Sequence, residues 1–135
     1  MLTRLLLAPE SKVFFIQQAE KIRKFEKLWL AICRVESGSN PLAYHIEWDG
    51  FAAVGICQIR HDRLKDYNSR THHNYKMKDL YDPAVSKSIF IYYANQYSDF
   101  ETISRLWNGG PKGMNYRQTK RYWLRVQVEL NRINP

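Results

Sequence analysis

The chain has 135 residues, enough for one domain with a substantial core, and its hydrophobic fraction of 44% and aromatic fraction of 14% are typical of a globular protein. The net charge of +8 predicts attraction to polyanions. The basic residues are scattered, however, without a basic motif interleaved with aromatic residues. We therefore expect a surface attraction and no nucleic-acid partner. No stretch is long and apolar enough to predict insertion into a membrane.

The N-terminal part, residues 1–24, is predicted to form a helical segment, with its helix over residues 10–24. Pro9 and Ser11 are typical of a helix start. The apolar run before them is too short for a signal peptide and is interrupted from Pro9 onward. We therefore expect no export signal, and residues 1–24 to be an extension of a single domain covering residues 1–135.

A second helix is predicted over residues 26–37, and it places an acid on its apolar side. Apolar residues lead in at helical spacing: Phe25, Leu28, Trp29, Ile32 and Cys33. Glu36 continues this stripe, and Gly38 is typical of a helix C-cap. Burial and the negative end of the helix dipole should both raise the pKa of Glu36, as a general acid requires. The structural alternative is a Glu that only caps the helix or pairs with an Arg.

The middle of the chain is predicted to be less regular. Residues 39–54 lack a helical period and indicate an irregular lobe or a small hairpin. The stretch from Gly55 to about Tyr67 is expected to start with the Gln58 motif and then to enter a helix. Residues 68–79 are polar, and His72 and His73 lack the acidic or cysteine partners of a metal site. We therefore predict no metal and no cofactor.

Three more helices are predicted in the C-terminal half. Asp82-Pro83 is a typical helix start, and the helix that follows carries Tyr92, expected to serve the core first and a cleft wall second. Another helix starts at Asp99 and ends at the break 109–111, and the last covers about 117–133. The sequence thus predicts an all-α or mainly α fold of about six helices, with at most a small hairpin near residues 40–54.

Two cysteines, Cys33 and Cys57, are too few for a disulfide framework. Both lie in apolar runs, which favours free, buried thiols over a disulfide between them. They also lack the His and Asn partners of a cysteine protease.

Five short motifs follow one another along the chain: Glu36-Ser37, Gly55–Ile59, Leu80–Pro83, Trp107–Pro111 and Thr119–Tyr122. Together they resemble the catalytic domain of soluble lytic transglycosylases, within the lysozyme superfamily, from about Leu28 to Val126. The resemblance implies a lysozyme-like fold with residues 25–135 as the catalytic core. It also implies peptidoglycan glycan strands as the substrate, and we expect a monomer that acts on the bacterial wall.

The resemblance implies Glu36 as the catalytic acid and base. The candidates for substrate binding are Ser37, Gln58, Tyr92, Trp107, Asn108, Gly109 and Tyr122. For Gln58 a purely structural role, as a buried amide that bridges backbone groups, is the alternative. The chain departs from the family at two motifs, with Trp107 in place of the usual Tyr and Gln118 in place of the usual Glu.

Three functions remain open from the sequence. The first is a lytic transglycosylase that cleaves the bond between N-acetylmuramic acid and N-acetylglucosamine and leaves a 1,6-anhydro sugar. The second is a hydrolase resembling goose-type lysozyme, which needs a second carboxylate, with Glu47 and Asp49 as candidates. The third is a catalytically idle wall-binding or virion module. The expected delivery is in a virion, by release at lysis or by a dedicated secretion machine.

Overall fold

A computed structural model describes residues 8–133 of the chain, without the side chains of Lys21 and Ile22. The prediction for residues 1–7 lies outside this range. The described part contains five α-helices: α1 (Pro9–Ser37), α2 (His61–Thr71), α3 (Pro83–Ala94), α4 (Phe100–Gly109) and α5 (Arg117–Ile133). It also contains three strands and two 3₁₀ helices: β1 (Tyr44–Ile46), β2 (Ala52–Val54), β3 (Ile59–Arg60), Met77–Tyr81 and Gly113–Asn115. None of these helices combines the length and apolarity needed to span a bilayer.

The predicted fold class, mainly α with a small hairpin, is confirmed. The two N-terminal helices predicted from sequence are one continuous helix, α1, because neither Gly nor Pro interrupts residues 10–37. The count in the described residues is therefore five α-helices. The helix expected to follow the Gln58 motif begins at His61, because Gly55 and Gln58 both have positive φ, at 87° and 56°, and form a turn before it.

The small sheet is an antiparallel meander in the order β1-β2-β3. Tyr44 pairs with Val54 and Ile46 with Ala52, and Val54 in turn pairs with Ile59. Helix α1 ends just before this sheet at Gly38, whose φ of 63° is the left-handed conformation of a helix C-cap. The sheet therefore lies beside the last turn of α1, where Glu36 is located.

The core forms where the C-terminal half of α1 packs against α5 and α3, while α4 packs against the same two helices. Residues of α1 bury the apolar stripe that the sequence predicts, from Phe25 to Cys33. Helix α5 contributes Tyr122, Val126 and Leu130 at helical spacing. The apolar stripe thus carries Glu36 toward the face of α5 that bears Tyr122.

A substitution at Gly55 tests the close approach between the turn after β2 and the first 3₁₀ helix. An added Cβ at Gly55 would lie 2.1 Å from the carbonyl oxygen of Leu80, and φ there is 87°. Gly50 has nearly the same φ, 85°, with nothing within 4 Å of its added Cβ. We expect Gly55→Ala to lower the free energy of unfolding by about 2–4 kcal/mol and Gly50→Ala by only about 1 kcal/mol. Urea denaturation measures both, and equal losses would show that backbone conformation alone sets the requirement at Gly55.

Candidate active site

Glu36 lies in the last turn of α1 and binds a buried tyrosine from the other end of the chain. The hydroxyl of Tyr122 donates a hydrogen bond of 2.8 Å to Glu36 Oε1. Tyr122 is 1% exposed, and its position is set by the packing of α5 on α1. The carboxyl group is thus held in one orientation by a donor that belongs to the core.

Burial raises the pKa of Glu36 from its ordinary value of 4.5 to about 7. The hydrogen bond from Tyr122 and the charges of Arg125 and Arg63 act in the opposite direction, whereas the charge of Glu47 raises this pKa further. Burial and the neighbouring Glu36 raise the pKa of Tyr122 well above its ordinary value, so its hydroxyl keeps the proton that it donates. Near neutral pH, Glu36 can therefore give up a proton and take one back.

Glu36 opens onto a cleft of about 380 Å³. The cleft lies between the end of α1, the hairpin turn, the start of α2 and the C-terminal end of α4. Its lining residues are Glu36, Glu47, Trp48, Gln58, Arg60, Asp62, Arg63, Trp107, Asn108, Gly109 and Gly110. The lining is mostly polar, which suits a ligand with many hydroxyl and amide groups.

The two candidates for a second carboxylate differ in their surroundings. Arg60 binds the carboxylate of Asp49, and the backbone N–H of Phe51 donates to Asp49 Oδ1 at 3.2 Å. The pKa of Asp49 is lowered, chiefly by the hydrogen bond from Arg60. Asp49 does not line the cleft, whereas Glu47 does. Of the two, only Glu47 shares the cleft with Glu36.

The structure brings most of the predicted substrate-binding residues to this cleft. Gln58, Trp107, Asn108 and Gly109 line it together with Glu36. The Gln58 side chain also donates from Nε2 to the carbonyl of Gly55 at 3.0 Å. The NH₂ group of this amide therefore binds the backbone, which is the structural alternative considered for Gln58 from the sequence. Their roles in binding remain predictions.

Ser37 and Tyr92 do not line the cleft. The Ser37 hydroxyl donates to the carbonyl of Ile56 at 2.6 Å and accepts from the backbone N–H of Asn40 at 3.0 Å, which ties the turn before Gln58 to the end of α1. Tyr92 packs edge-on against Tyr67, at 5.4 Å between ring centroids. Ser37 thus positions the neighbourhood of Glu36, and Tyr92 belongs to the aromatic packing around α3.

Trp107 is 8% exposed, and its ring is largely covered by other side chains. The guanidinium of Arg63 lies 4.2 Å from its ring centroid, and Phe90 packs edge-on at 5.3 Å. Arg63 also donates to the backbone carbonyl of Trp107 at 2.9 Å. Trp107 therefore fixes Arg63 and the start of the Asn108-Gly109 segment.

Several cleft residues were not identified from sequence, namely Trp48, Arg60, Asp62, Arg63 and Gly110. Trp48 had a signal, since it stands between the two candidate acids in the predicted lobe. Arg60, Asp62 and Arg63 follow the Gln58 motif. A charged residue at the start of a helix is usually solvated, so these three gave no signal of a functional site in the sequence.

Cys33 and Cys57 are buried and free, which matches the expectation from sequence. Burial raises the pKa of Cys33 to about 12 and that of Cys57 well above its ordinary value, so neither is a thiolate nucleophile at neutral pH. Among residues 8–133, no group of three or more His, Cys, Asp or Glu is placed to hold a metal ion.

Comparisons with known proteins place this geometry in a family. Residues 14–112 match the Transglycosylase SLT domain family. A lysozyme of Magallana gigas is 26% identical over 110 residues, covering 76% of this chain and 78% of that protein. The structure of Tapes japonica lysozyme matches with a TM-score of 0.64 and 25% identity, over 75% of this chain and 86% of that one. Meretrix lusoria lysozyme, crystallised in complex with Aeromonas hydrophila PliI, matches with a TM-score of 0.64 and 22% identity, over 76% of this chain and 87% of that one.

The family match covers well over half of the chain, includes the Glu36, Gln58 and Trp107-Asn108 motifs, and agrees with a fold shared with lysozymes. The chain therefore belongs to the Transglycosylase SLT domain family of the lysozyme superfamily.

Proposed function

We propose that the chain is a lytic transglycosylase that cleaves the β-1,4 bond between N-acetylmuramic acid and N-acetylglucosamine in peptidoglycan. Membership of the SLT family and the likeness to lysozymes support a peptidoglycan-cleaving glycosidase. The observation that carries the proposal is the half-buried Glu36, which has a pKa of about 7, a hydrogen bond from Tyr122, and access to a polar cleft.

The reaction needs one group that acts first as acid and then as base. Protonated Glu36 gives its proton to the glycosidic oxygen, the bond from C1 to that oxygen breaks, and the N-acetyl group of the sugar relieves the charge at C1. The Glu36 carboxylate then takes the proton of the C6 hydroxyl, whose oxygen attacks C1 and closes the 1,6-anhydro ring. The Tyr122 hydroxyl stabilises the carboxylate between the two steps because it donates to the charged form.

The surroundings of Asp49, one of the two candidates for a second carboxylate, support transglycosylation over hydrolysis. Hydrolysis by inversion needs a second carboxylate that activates water, about 6.5–9.5 Å from the acid. Asp49 is bound by Arg60 and its pKa is lowered, which makes it a weak base for that role. Glu47 lines the cleft and keeps hydrolysis as the second candidate, which the lysozyme relatives also favour.

The place of action that fits this substrate is the bacterial wall, outside the cytoplasmic membrane. The sequence predicts delivery in a virion, at lysis or through a secretion machine, and this stays a prediction. The monomeric state also stays a prediction. The same holds for the absence of a nucleic-acid partner.

We expect Glu36→Gln to lower the rate of wall clearance at least about a thousandfold, on the order of 4 kcal/mol in the barrier, because the amide cannot supply the proton. Asp49→Asn is the matched carboxylate-to-amide control and should retain most of the activity. Clearance of purified peptidoglycan by both variants is the measurement. Cleavage by Glu36→Gln near the wild-type rate would remove Glu36 from the mechanism.

Product analysis separates the two candidate reactions. Mass spectrometry of the digest should show 1,6-anhydromuramic acid ends, which lack a reducing group, and Glu47→Gln should leave the amount of this product nearly unchanged. Reducing ends together with an inactive Glu47→Gln would identify a hydrolase with Glu47 as the second carboxylate.

The raised pKa of Glu36 also predicts a pH dependence of stability. Glu36 binds its proton more tightly in the folded protein, so its contribution to folding is present below about pH 4.5 and is lost as the pH rises through about 7. Relative to Glu36→Gln, the wild-type protein should therefore lose about 3 kcal/mol of unfolding free energy between pH 4.5 and pH 8. Urea denaturation of both proteins across this range measures the difference, and a constant difference would contradict the raised pKa.

Tyr122→Phe should move the pH profile of cleavage. Loss of the donor removes a contact that lowers the pKa of Glu36, so the pKa rises and the decline of kcat/KM on the alkaline side moves to higher pH. Tyr75→Phe removes a hydroxyl from a partly buried tyrosine outside the cleft and should leave the profile unchanged. A shift to lower pH in Tyr122→Phe would contradict the assigned direction of this hydrogen bond.

A further inference from the structure

We propose that Trp48 is a stacking platform for a pyranose ring of the glycan and binds the sugar chain at the rim of the cleft. This inference rests on the proposed function, because it names a further residue that would contact the same substrate. The ligand class is a β-linked chain of N-acetylated hexopyranoses.

Trp48 combines two features that are rarely found together. It is 92% exposed, and it also lines the cleft that contains Glu36. Trp is normally among the more buried side chains, and an exposed indole at a concave site indicates a ligand that covers it. Pyranose rings suit this surface because their C–H faces are apolar while their hydroxyl groups point outward.

The backbone that carries Trp48 is fixed before any ligand arrives. The N–H of Gly50 donates to the carbonyl of Glu47 at 2.9 Å, and the N–H of Glu47 donates to the carbonyl of Phe51 at 2.9 Å. The pair of Asp49 and Arg60 anchors the same turn to the end of β3. Binding therefore orders only the indole side chain, which keeps the entropic cost of stacking small.

No other tryptophan of the described residues offers an open ring to the cleft. Trp107 is covered by Arg63 and Phe90, and Trp29 is a core residue that packs on Phe90 at 5.5 Å. Trp123, on α5, is partly buried against the core. Among the described tryptophans, the open ring at the cleft is thus that of Trp48.

The test is binding of the hexamer of N-acetylglucosamine to the Glu36→Gln protein by calorimetry. Nucleobases that stack on aromatic side chains gain about 10- to 100-fold in affinity, and by analogy with them Trp48→Ala in this background should raise Kd by about 10- to 100-fold. Trp48→Phe should restore part of the affinity. Tyr44→Ala removes an aromatic side chain from the same hairpin that is 58% exposed and does not line the cleft, and it should leave Kd unchanged.

The fluorescence of the same protein gives a second readout. An indole that passes from water to a sugar surface shifts its emission to shorter wavelength, so saturation with the hexamer should shift the emission, and Trp48→Phe should abolish the shift. Thermal melting checks that the variants fold, and Trp48→Ala should melt like its parent because the side chain is exposed.

The outcomes separate this inference from the proposed function. Binding of the hexamer with an affinity that Trp48→Ala does not change overturns the platform and leaves the proposed function standing. An unchanged affinity together with an altered oligomeric state in Trp48→Ala also overturns it and assigns the side chain to a protein interface. If the hexamer does not bind at all, both the platform and the proposed glycan substrate are overturned.

Discussion

The hydrogen bond between Tyr122 and Glu36 is the interaction on which the rest of the site depends. It joins residues 86 positions apart and links the last turn of α1 to the first half of α5. Glu36 is partly buried, and a carboxyl group withdrawn from water without a partner is costly, so the packing of α1 on α5 must bring Tyr122 and Glu36 together. The main helix contact of the core and the electrostatics of the proposed catalytic acid are therefore the same structural feature.

The position of Tyr122 is fixed in turn by a buried polar cluster at the start of α5. Arg105 donates from Nε to the hydroxyl of Thr119 at 3.0 Å, and Thr119 donates to the carbonyl of Gly113 at 2.6 Å. Glu101 pairs with the same Arg105 guanidinium. Thr119 is one helical turn before Tyr122, so this cluster sets the register of α5 relative to Glu36. Thr119 and Tyr122 lie in one sequence motif, and the contacts of Thr119 help to place the Tyr122 hydroxyl.

The sequence predicted the parts of this protein that depend on local periodicity. The apolar stripe of α1 placed Glu36 on the buried side, and the Asp82-Pro83 and Gly109–Pro111 signals marked helix ends within a residue or two. Contacts between distant segments were harder to predict from the sequence. The pairing of Asp49 with Arg60 depends on how a hairpin folds back, and the exposure of Trp48 depends on what surrounds it. Neither leaves a periodic pattern in the chain.

A pKa near 7 for Glu36 suits the proposed mechanism, in which one residue serves as both acid and base. A lower pKa would leave less protonated Glu36 at neutral pH. A higher pKa would leave more protonated Glu36, but Glu36 would then be a weaker acid, although its carboxylate would be a stronger base. Burial alone would push the pKa upward, and the Tyr122 hydrogen bond with the charges of Arg125 and Arg63 restrains it. In an enzyme with two carboxylates these demands could be divided between two environments. Under the proposed mechanism the surroundings of one side chain meet both demands, since a core tyrosine and two arginines all act on the same carboxyl group.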